Sequence, residues 1–385
     1  MAALSALVRA RLQRAVDAGV GSAAAFALAR SDGSVRTVAV GRTLRVRDRC
    51  DGPFGAQRRE PAPGVPVDDT TPFDLASLTK PLCTTTLLAQ AVGRGQLALD
   101  TPVGLVLAEA AQHPIGAVAL RQLLGHTSGW PAWIDFFAAT ADVDDPGVRA
   151  ARIRQLVLAT PRDRAPGDGA IYSDLGFLAL GWVLEAATGE ALESLFARDV
   201  AAPLDARLAF APLDNGPLGR AAATEIWPPR CCDGRPLQGV VHDDNCAALG
   251  GVGGHAGLFG SVRAVGQWAA AWLAALRGQA TPLLLPVDLV RGWTGTAACP
   301  GSSWRLGFDT PTPPGSTAGD AAPPDTVGHL GFTGTSVWMS PSQDAALVLL
   351  TNRVHPTRDD RDGIRRLRCA LHDEVWSALR ADAPW

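Results

Sequence analysis

Apolar positions Leu7, Val8, Leu12 and Val16 recur at near-helical spacing across Ser5 to Ala18, which predicts an amphipathic opening helix. The pattern then changes. Ala23 to Ala29 and Val35 to Val40 flank Ser31-Asp32-Gly33-Ser34, an Asp-Gly turn between two strand-like runs, and together they predict a hairpin. Arg45 to Asp69 is rich in Pro, Gly, Arg and Asp without a period and reads as a loop. A helical run from Leu82 to Val92 closes at Gly93. Further helices are expected at Leu120 to Leu124, Ala150 to Ala159, Asp174 to Thr188, Ala191 to Val200 and Ser261 to Leu276, with little period between Ala201 and Gly260. Trp268 and Trp272, four apart on the last of these, are expected in the core. Strand character returns in Ser336 to Met339 and Ala345 to Leu350 around a turn at Pro341 to Asp344, before a closing helix from Gly363 to Leu379. Strands at both ends with helices between them predict an α/β (α+β) chain. Its antiparallel sheet is built from both termini, flanked by helices and interrupted by a large, mainly helical insert.

At 385 residues the chain is longer than one compact core usually grows, so a two-lobed body or two domains is expected. The division expected is residues 1–76 with 298–385 as the sheet domain and 77–297 as the helical domain, with the active site between them. Hydrophobic content of 47%, charged content of 19% and a net charge of -3 describe a soluble globular protein and give no electrostatic case for nucleic acid. The longest apolar stretches, such as Trp268 to Leu276, fall short of the roughly 18 residues a membrane span needs. The apolar run in Met1 to Val8 is short and its arginines follow it, so no export is expected. Seven cysteines without framework spacing suit a reducing compartment, and a cytoplasmic protein is expected.

Composition then singles out Ser77-Leu78-Thr79-Lys80. Of the 35 basic Lys and Arg residues, Lys80 is the only lysine. Guanidinium keeps its proton at ordinary pH while a desolvated amine can lose it, so a site needing a neutralisable amine cannot accept arginine. The one tyrosine, Tyr172, lies in Tyr172-Ser173-Asp174. A phenol is the other side chain able to exchange a proton with a serine–lysine pair. Ser77 is expected at or just before a helix N-terminus, where free N–H groups favour developing negative charge, with Lys80 facing the same side. Pro81 cannot donate back to Ser77, so regular helix is expected only from about Lys80.

Ser77-Leu78-Thr79-Lys80, Tyr172-Ser173-Asp174 and His329-Leu330-Gly331, in that order, resemble the three motifs of the penicillin-recognising serine hydrolases, in particular the class C β-lactamase and D-alanyl-D-alanine carboxypeptidase family. Similar segments include Leu124 to Trp130, Gly254 to Phe259, Gly328 to Ser336 and Leu350 to Pro356. The resemblance implies the β-lactamase/transpeptidase-like fold and acylation of Ser77, with Lys80 and Tyr172 sharing general-base and general-acid work. It also implies an oxyanion hole from the amides of Ser77 and Phe332, with Gly331 and Thr333 among the substrate-binding residues. His329 stands where many relatives carry lysine. Asp174 replaces the usual asparagine, accepts hydrogen bonds without donating, and is expected to hold Lys80 protonated and shift base work towards Tyr172.

Cys231, Cys232, His242, Asp243, Asp244, Cys246 and His255 fall close together, yet their spacing matches no standard zinc pattern; no metal and no cofactor is expected. The other reading is a Gly-rich loop whose His242, Asp243 and Asn245 line the substrate cleft. His126 is expected to be a turn residue. Arg353, Thr357 and Arg358 are either where relatives bind a substrate carboxylate or a solvated strand end. The expected activity is hydrolysis of a small amide or ester through an acyl-enzyme, on a small-molecule or muropeptide-like substrate such as the N-acetylmuramoyl-L-alanine bond. A promiscuous carboxylesterase, a weak β-lactamase, or a non-catalytic binding protein on the same fold are the rival readings.

Overall fold

The computed structural model describes residues 4–50, 57–62, 64–230 and 234–385. Its central sheet has five antiparallel strands in the order β2-β1-β10-β9-β8, namely β1 (Ala23–Ala29), β2 (Val35–Gly41), β8 (Val327–Leu330), β9 (Ser336–Ser340) and β10 (Ala345–Thr351). β1 therefore pairs with β10 from the far end of the chain, Ala24 opposite Thr351 and Ala29 opposite Ala346. Every residue of both strands is buried, because helices cover both faces of the sheet. Helices Leu4–Asp17 and Asp362–Arg380 pack on one face through Val8, Leu12, Leu367, Leu371 and Trp376. Helix Val262–Leu276 packs on the other, where Trp268 and Trp272 are fully buried and both indole N–H groups donate to Thr86 Oγ1, at 3.1 and 2.9 Å. Among the described residues no single helix is long and apolar enough to cross a membrane.

The predicted helices and terminal hairpins are present, and the structure adds helix Val287–Gly295 and strand β8, with further differences elsewhere. The expected loop from Arg45 to Asp69 contains strands β3 (Val46–Cys50) and β4 (Gln57–Pro61), paired antiparallel. Charged residues in the sequence of this ribbon hide any apolar alternation, and the cross-strand pair Arg47 Nε to Glu60 Oε1 at 2.7 Å supplies contact. The stretch from Ala201 to Gly260 also holds order: β6 (Leu208–Phe210) and β5 (Phe73–Asp74) flank β7 (Leu258–Gly260) in a second sheet, and Asp244–Ala248 is a short helix. Two or three residues are too few to show a period. The helix expected from Ala150 begins at Pro146, because Asp145 caps it by accepting from the Val148 amide at 2.8 Å and proline suits the first turn.

Candidate active site

The chain approaches Ser77 through a tight turn. Ala76 has φ +48°, a left-handed conformation rare for a residue with a side chain, and its amide donates to Asp74 Oδ1 at 2.8 Å. Asp74 is buried and its other oxygen accepts from the His242 amide at 2.7 Å. Ser77 sits in a short 3-10 turn, Ala76–Leu78, and Lys80–Thr85 follows as a wider π-helical segment before regular α-helix at Thr86–Gly93. The delayed helix follows from Pro81, which has no N–H to give.

This turn delivers Ser77 and Lys80 to one point. Lys80 is fully buried and its Nζ donates to Ser77 Oγ at 2.9 Å and to the His255 carbonyl at 3.2 Å, while pairing with Asp174 Oδ1 at 2.6 Å. Nζ also lies 5.0 Å from the centre of the Tyr172 ring. Burial pulls the ammonium down, but the Asp174 carboxylate and Tyr172 outweigh it and push Lys80 up to about 12. Burial raises the Tyr172 phenol above its ordinary value; Lys80 opposes this and Asp174 reinforces it. Tyr172 also interacts through its hydroxyl with Lys80 and Ser77.

The Tyr172-Ser173-Asp174 segment is set by His126. That residue, at φ +58°, accepts the Ser173 amide on Nδ1 at 3.1 Å, and its carbonyl accepts the Ile171 amide at 2.8 Å. Its ring lies 4.7 Å from that of Tyr172, and burial holds its pKa well below the ordinary histidine value. Nδ1 is thus the unprotonated nitrogen, and the expected turn role acquires a purpose. Gly254 lets the next loop approach: a Cβ there would fall 2.2 Å from the Phe177 carbonyl, so only glycine brings His255 against Lys80.

Opposite Ser77, the turn between β8 and β9 carries Gly331, Phe332 and Thr333. Thr333 Oγ1 donates to the Asp74 carbonyl at 2.7 Å and Thr335 Oγ1 to the Leu75 carbonyl at 3.1 Å, fastening this turn to the segment before the serine. Among the described residues neither the Ser77 nor the Phe332 amide has a hydrogen-bond acceptor. The Phe332 ring is 40% exposed and stacks on His242, centroids 5.7 Å apart. His329 is buried; its Nδ1–H donates to the Leu330 carbonyl at 2.7 Å, leaving Nε2 as an acceptor without a partner among the described residues. Burial and the Lys80 charge bring its pKa down to about 3, so it is neutral.

The remaining expected residues separate. His242 Nε2 meets Glu225 Oε2 at 2.9 Å and its ring borders the cleft through Phe332. Asp243 caps the Asp244–Ala248 helix at the Cys246 amide, 2.7 Å, and pairs with His255 Nε2 at 3.1 Å, which shapes the loop that receives Lys80 without touching Ser77. Asn245 ties the Ile134 carbonyl and the Phe137 amide, at 2.8 and 3.0 Å. Arg353 Nε donates to the Phe332 carbonyl at 2.7 Å, Arg358 Nε to Glu225 Oε2 at 2.5 Å, and Thr357 Oγ1 to Asp359 Oδ2 at 2.6 Å. Each of these groups has a partner within the protein, although Arg358 Nη2 has no hydrogen bond among the described residues and lies 3.9 Å from Asp244 Oδ2. Cys231 and Cys232 lie outside the described residues. Among those described, no three His, Cys, Asp or Glu groups could hold a metal ion.

Asp74 and Arg368 were not foreseen. Arg368 is buried and its Nη2 donates to the carbonyls of Gly331 and Thr335, at 3.0 and 2.6 Å. A signal existed for it: Ile364, Leu367, Arg368, Leu371, His372 and Val375 share one helical stripe, and an arginine within an apolar stripe must find a buried partner.

Comparison with known proteins shows the family and the fold. The model of the family described as Beta-lactamase matches residues 8–372. Relatives from Escherichia coli O157:H7 and from the K12 strain, each named "Putative D-alanyl-D-alanine carboxypeptidase", are 30% identical over 325 residues, spanning 75% of this chain and 71% of theirs. Among solved structures, the simvastatin synthase LovD from Aspergillus terreus superposes with a TM-score of 0.69 at 19% identity, over 98% of this chain and 99% of that one. EstCE1, described as a hydrolase with promiscuous acyltransferase activity, gives a TM-score of 0.68 at 23% identity, over 97% and 98%. These two likenesses are of fold.

Proposed function

The chain belongs to the beta-lactamase family and is a serine hydrolase, and from that premise we propose that Ser77 is its nucleophile, Tyr172 its proton carrier and a neutral amide of a peptidoglycan-type fragment its substrate. The observation that carries the reading is the 2.9 Å bond from Lys80 to Ser77 made while Lys80 is paired with Asp174 at 2.6 Å. An ammonium only donates, so Ser77 Oγ is the acceptor and its own proton is free for another base. Tyr172 is that base in its tyrosinate form, which the Lys80 charge stabilises. As Oγ bonds to the substrate carbonyl carbon, its proton passes to the Tyr172 oxygen. When the C–N bond breaks, the same proton goes to the leaving nitrogen. Water then repeats the sequence: Tyr172 takes its proton, the acyl–Oγ bond breaks, and the proton returns to Ser77. The free amides of Ser77 and Phe332 receive the oxyanion.

Substrate class follows from the chemistry of the cleft walls. His329 is neutral, Arg358 is paired with Glu225, and Arg353 is buried against the Phe332 carbonyl, so the cleft is weakly equipped for a terminal carboxylate. Asp174 and His329 Nε2 are acceptors, which suits a leaving group that carries donors, as the amine of an N-acetylmuramoyl-alanine bond does. The test begins with intact mass after fluorophosphonate treatment: one adduct on the wild type and none on Ser77→Ala is expected. Hydrolysis of muropeptides is then compared with that of short-chain nitrophenyl esters. A kcat/KM favouring simple esters by orders of magnitude would overturn the amidase assignment.

A further inference from the structure

Arg368 rises from helix Asp362–Arg380 beneath the turn opposite Ser77. It is 7% exposed, its Nη2 bonds the carbonyls of Gly331 and Thr335, and among the described residues no carboxylate lies within ion-pair distance of it. A buried charge without a counter-ion is costly, and two carbonyls are a weak return for a merely structural clamp. The identity of one carbonyl explains the arrangement. Gly331 C=O and Phe332 N–H belong to the same planar peptide unit, and resonance couples its two ends. A cation on the oxygen draws electron density away from the nitrogen, making the N–H a stronger donor. Arg353, by contrast, bonds the Phe332 carbonyl, which belongs to the following peptide.

Resting on the assignment of the Phe332 amide to the oxyanion, we propose that Arg368 is a positioning residue that polarises the Gly331–Phe332 peptide, so that a positive field not cancelled by any nearby described carboxylate meets the charge developing in the transition state. Burial and Arg353 lower the guanidinium to about 9, which still leaves it protonated at neutral pH. Gly331 itself is fixed by the same geometry, since a Cβ would fall 2.0 Å from Thr335 Oγ1 and 2.7 Å from the Leu75 carbonyl.

Arg368→Gln retains a donor for the two carbonyls and removes the charge; Arg368→Lys retains the charge and loses the planar fork. Both are measured beside the wild type, whose fluorophosphonate adduct on Ser77 first establishes the nucleophile. Loss of an oxyanion donor outright costs about 10²- to 10³-fold. Weakening one predicts about a tenfold fall in kcat for Arg368→Gln, KM within about twofold, and affinity for a boronic acid that mimics the tetrahedral state falling by the same factor as kcat. Arg368→Lys is expected within about threefold of wild type. The proposal is overturned if the glutamine variant keeps wild-type kcat and boronate affinity, or if activity of both variants simply follows their Tm. It also fails if glutamine loses kcat while boronate affinity stays unchanged. Absence of any adduct on the wild type removes the nucleophile assignment, and this proposal with it.

Discussion

The two walls of the cleft treat buried cations in opposite ways. On the wall that carries Ser77, Lys80 is matched by Asp174 at 2.6 Å, and the pair is nearly neutral as a unit. On the wall that carries Phe332, Arg353 and Arg368 are both only 7% exposed and bond backbone carbonyls of the turn. A paired charge governs where protons can go, because its partner sets the pKa of everything near it. Glu225 and Asp360 act on Arg353, whereas no carboxylate among the described residues pairs with Arg368, whose charge therefore projects a field. On the proposed mechanism, one wall moves protons and the other receives negative charge.

The sharpest test removes the nucleophile. Ser77→Ala should lower turnover by at least about 10³-fold and abolish the covalent adduct, with Tm little changed because Ser77 is only partly buried. Retention of more than a few per cent of activity would falsify the assignment of that wall to proton transfer and acylation. Lys80→Met should cost roughly 10²- to 10³-fold in kcat. It should also destabilise by roughly 3–5 kcal/mol in urea titration, since Asp174 then loses its paired cation. Adding Asp174→Asn to Lys80→Met should restore part of that stability and none of the activity; equal stability of single and double variants would show that the pair is not coupled.

On the other wall, Gly331→Ala should reduce kcat by up to about 10²-fold, because the new Cβ meets the Leu75 carbonyl at 2.7 Å and pushes the turn away from the serine. Adding Thr335→Ala, which removes the Oγ1 that a Cβ would meet at 2.0 Å, should not restore full activity, as the Leu75 carbonyl remains. The smallest effect sharpens the contrast through pH. Asp174 raises both Lys80 and Tyr172, so Asp174→Asn lowers both, and the alkaline rise of kcat/KM set by tyrosinate formation should move to lower pH. If that limb moves by about one pH unit, activity on it changes about tenfold at fixed pH. The linked stability has the sign of a raised base: the Lys80 contribution is complete below its ordinary 10.5 and disappears as pH rises through about 12, so the wild type should lose its advantage over Asp174→Asn only in that alkaline window. An unmoved kinetic limb would mean that the base is neither group.

The proton-moving wall was largely legible in the sequence. A single lysine three residues after a serine, and a single tyrosine before a serine and an aspartate, are visible because those residue types are otherwise missing. The terminal hairpins were legible for another reason: β1 and β10 are buried on both faces and read as unbroken apolar runs. The field-projecting wall was harder to read. β8 has four residues, one a glycine and one a histidine, and its position is set by β9 rather than by its own pattern. Asp74 looks like any loop aspartate until its carboxylate is found bonding the amides of Ala76 and His242. Partners so distant in sequence leave no local period, and His126, bonded to Ser173, is hidden for the same reason.

The pairing of β1 with β10 has a consequence in time. Ala29 and Ala346 are neighbours in the sheet, although nearly the whole chain is synthesised between them. At roughly 5–20 residues per second, the first strand waits on the order of tens of seconds at the ribosome for its partner. Ser77, Lys80, Tyr172 and Phe332 have all been synthesised by then, as have β8 and β9, which still lack β10 to pair with, while Arg368 has not. A chain that ends before β10 therefore carries Ser77 and Phe332 but lacks the strand that joins β1 to β9 in the sheet.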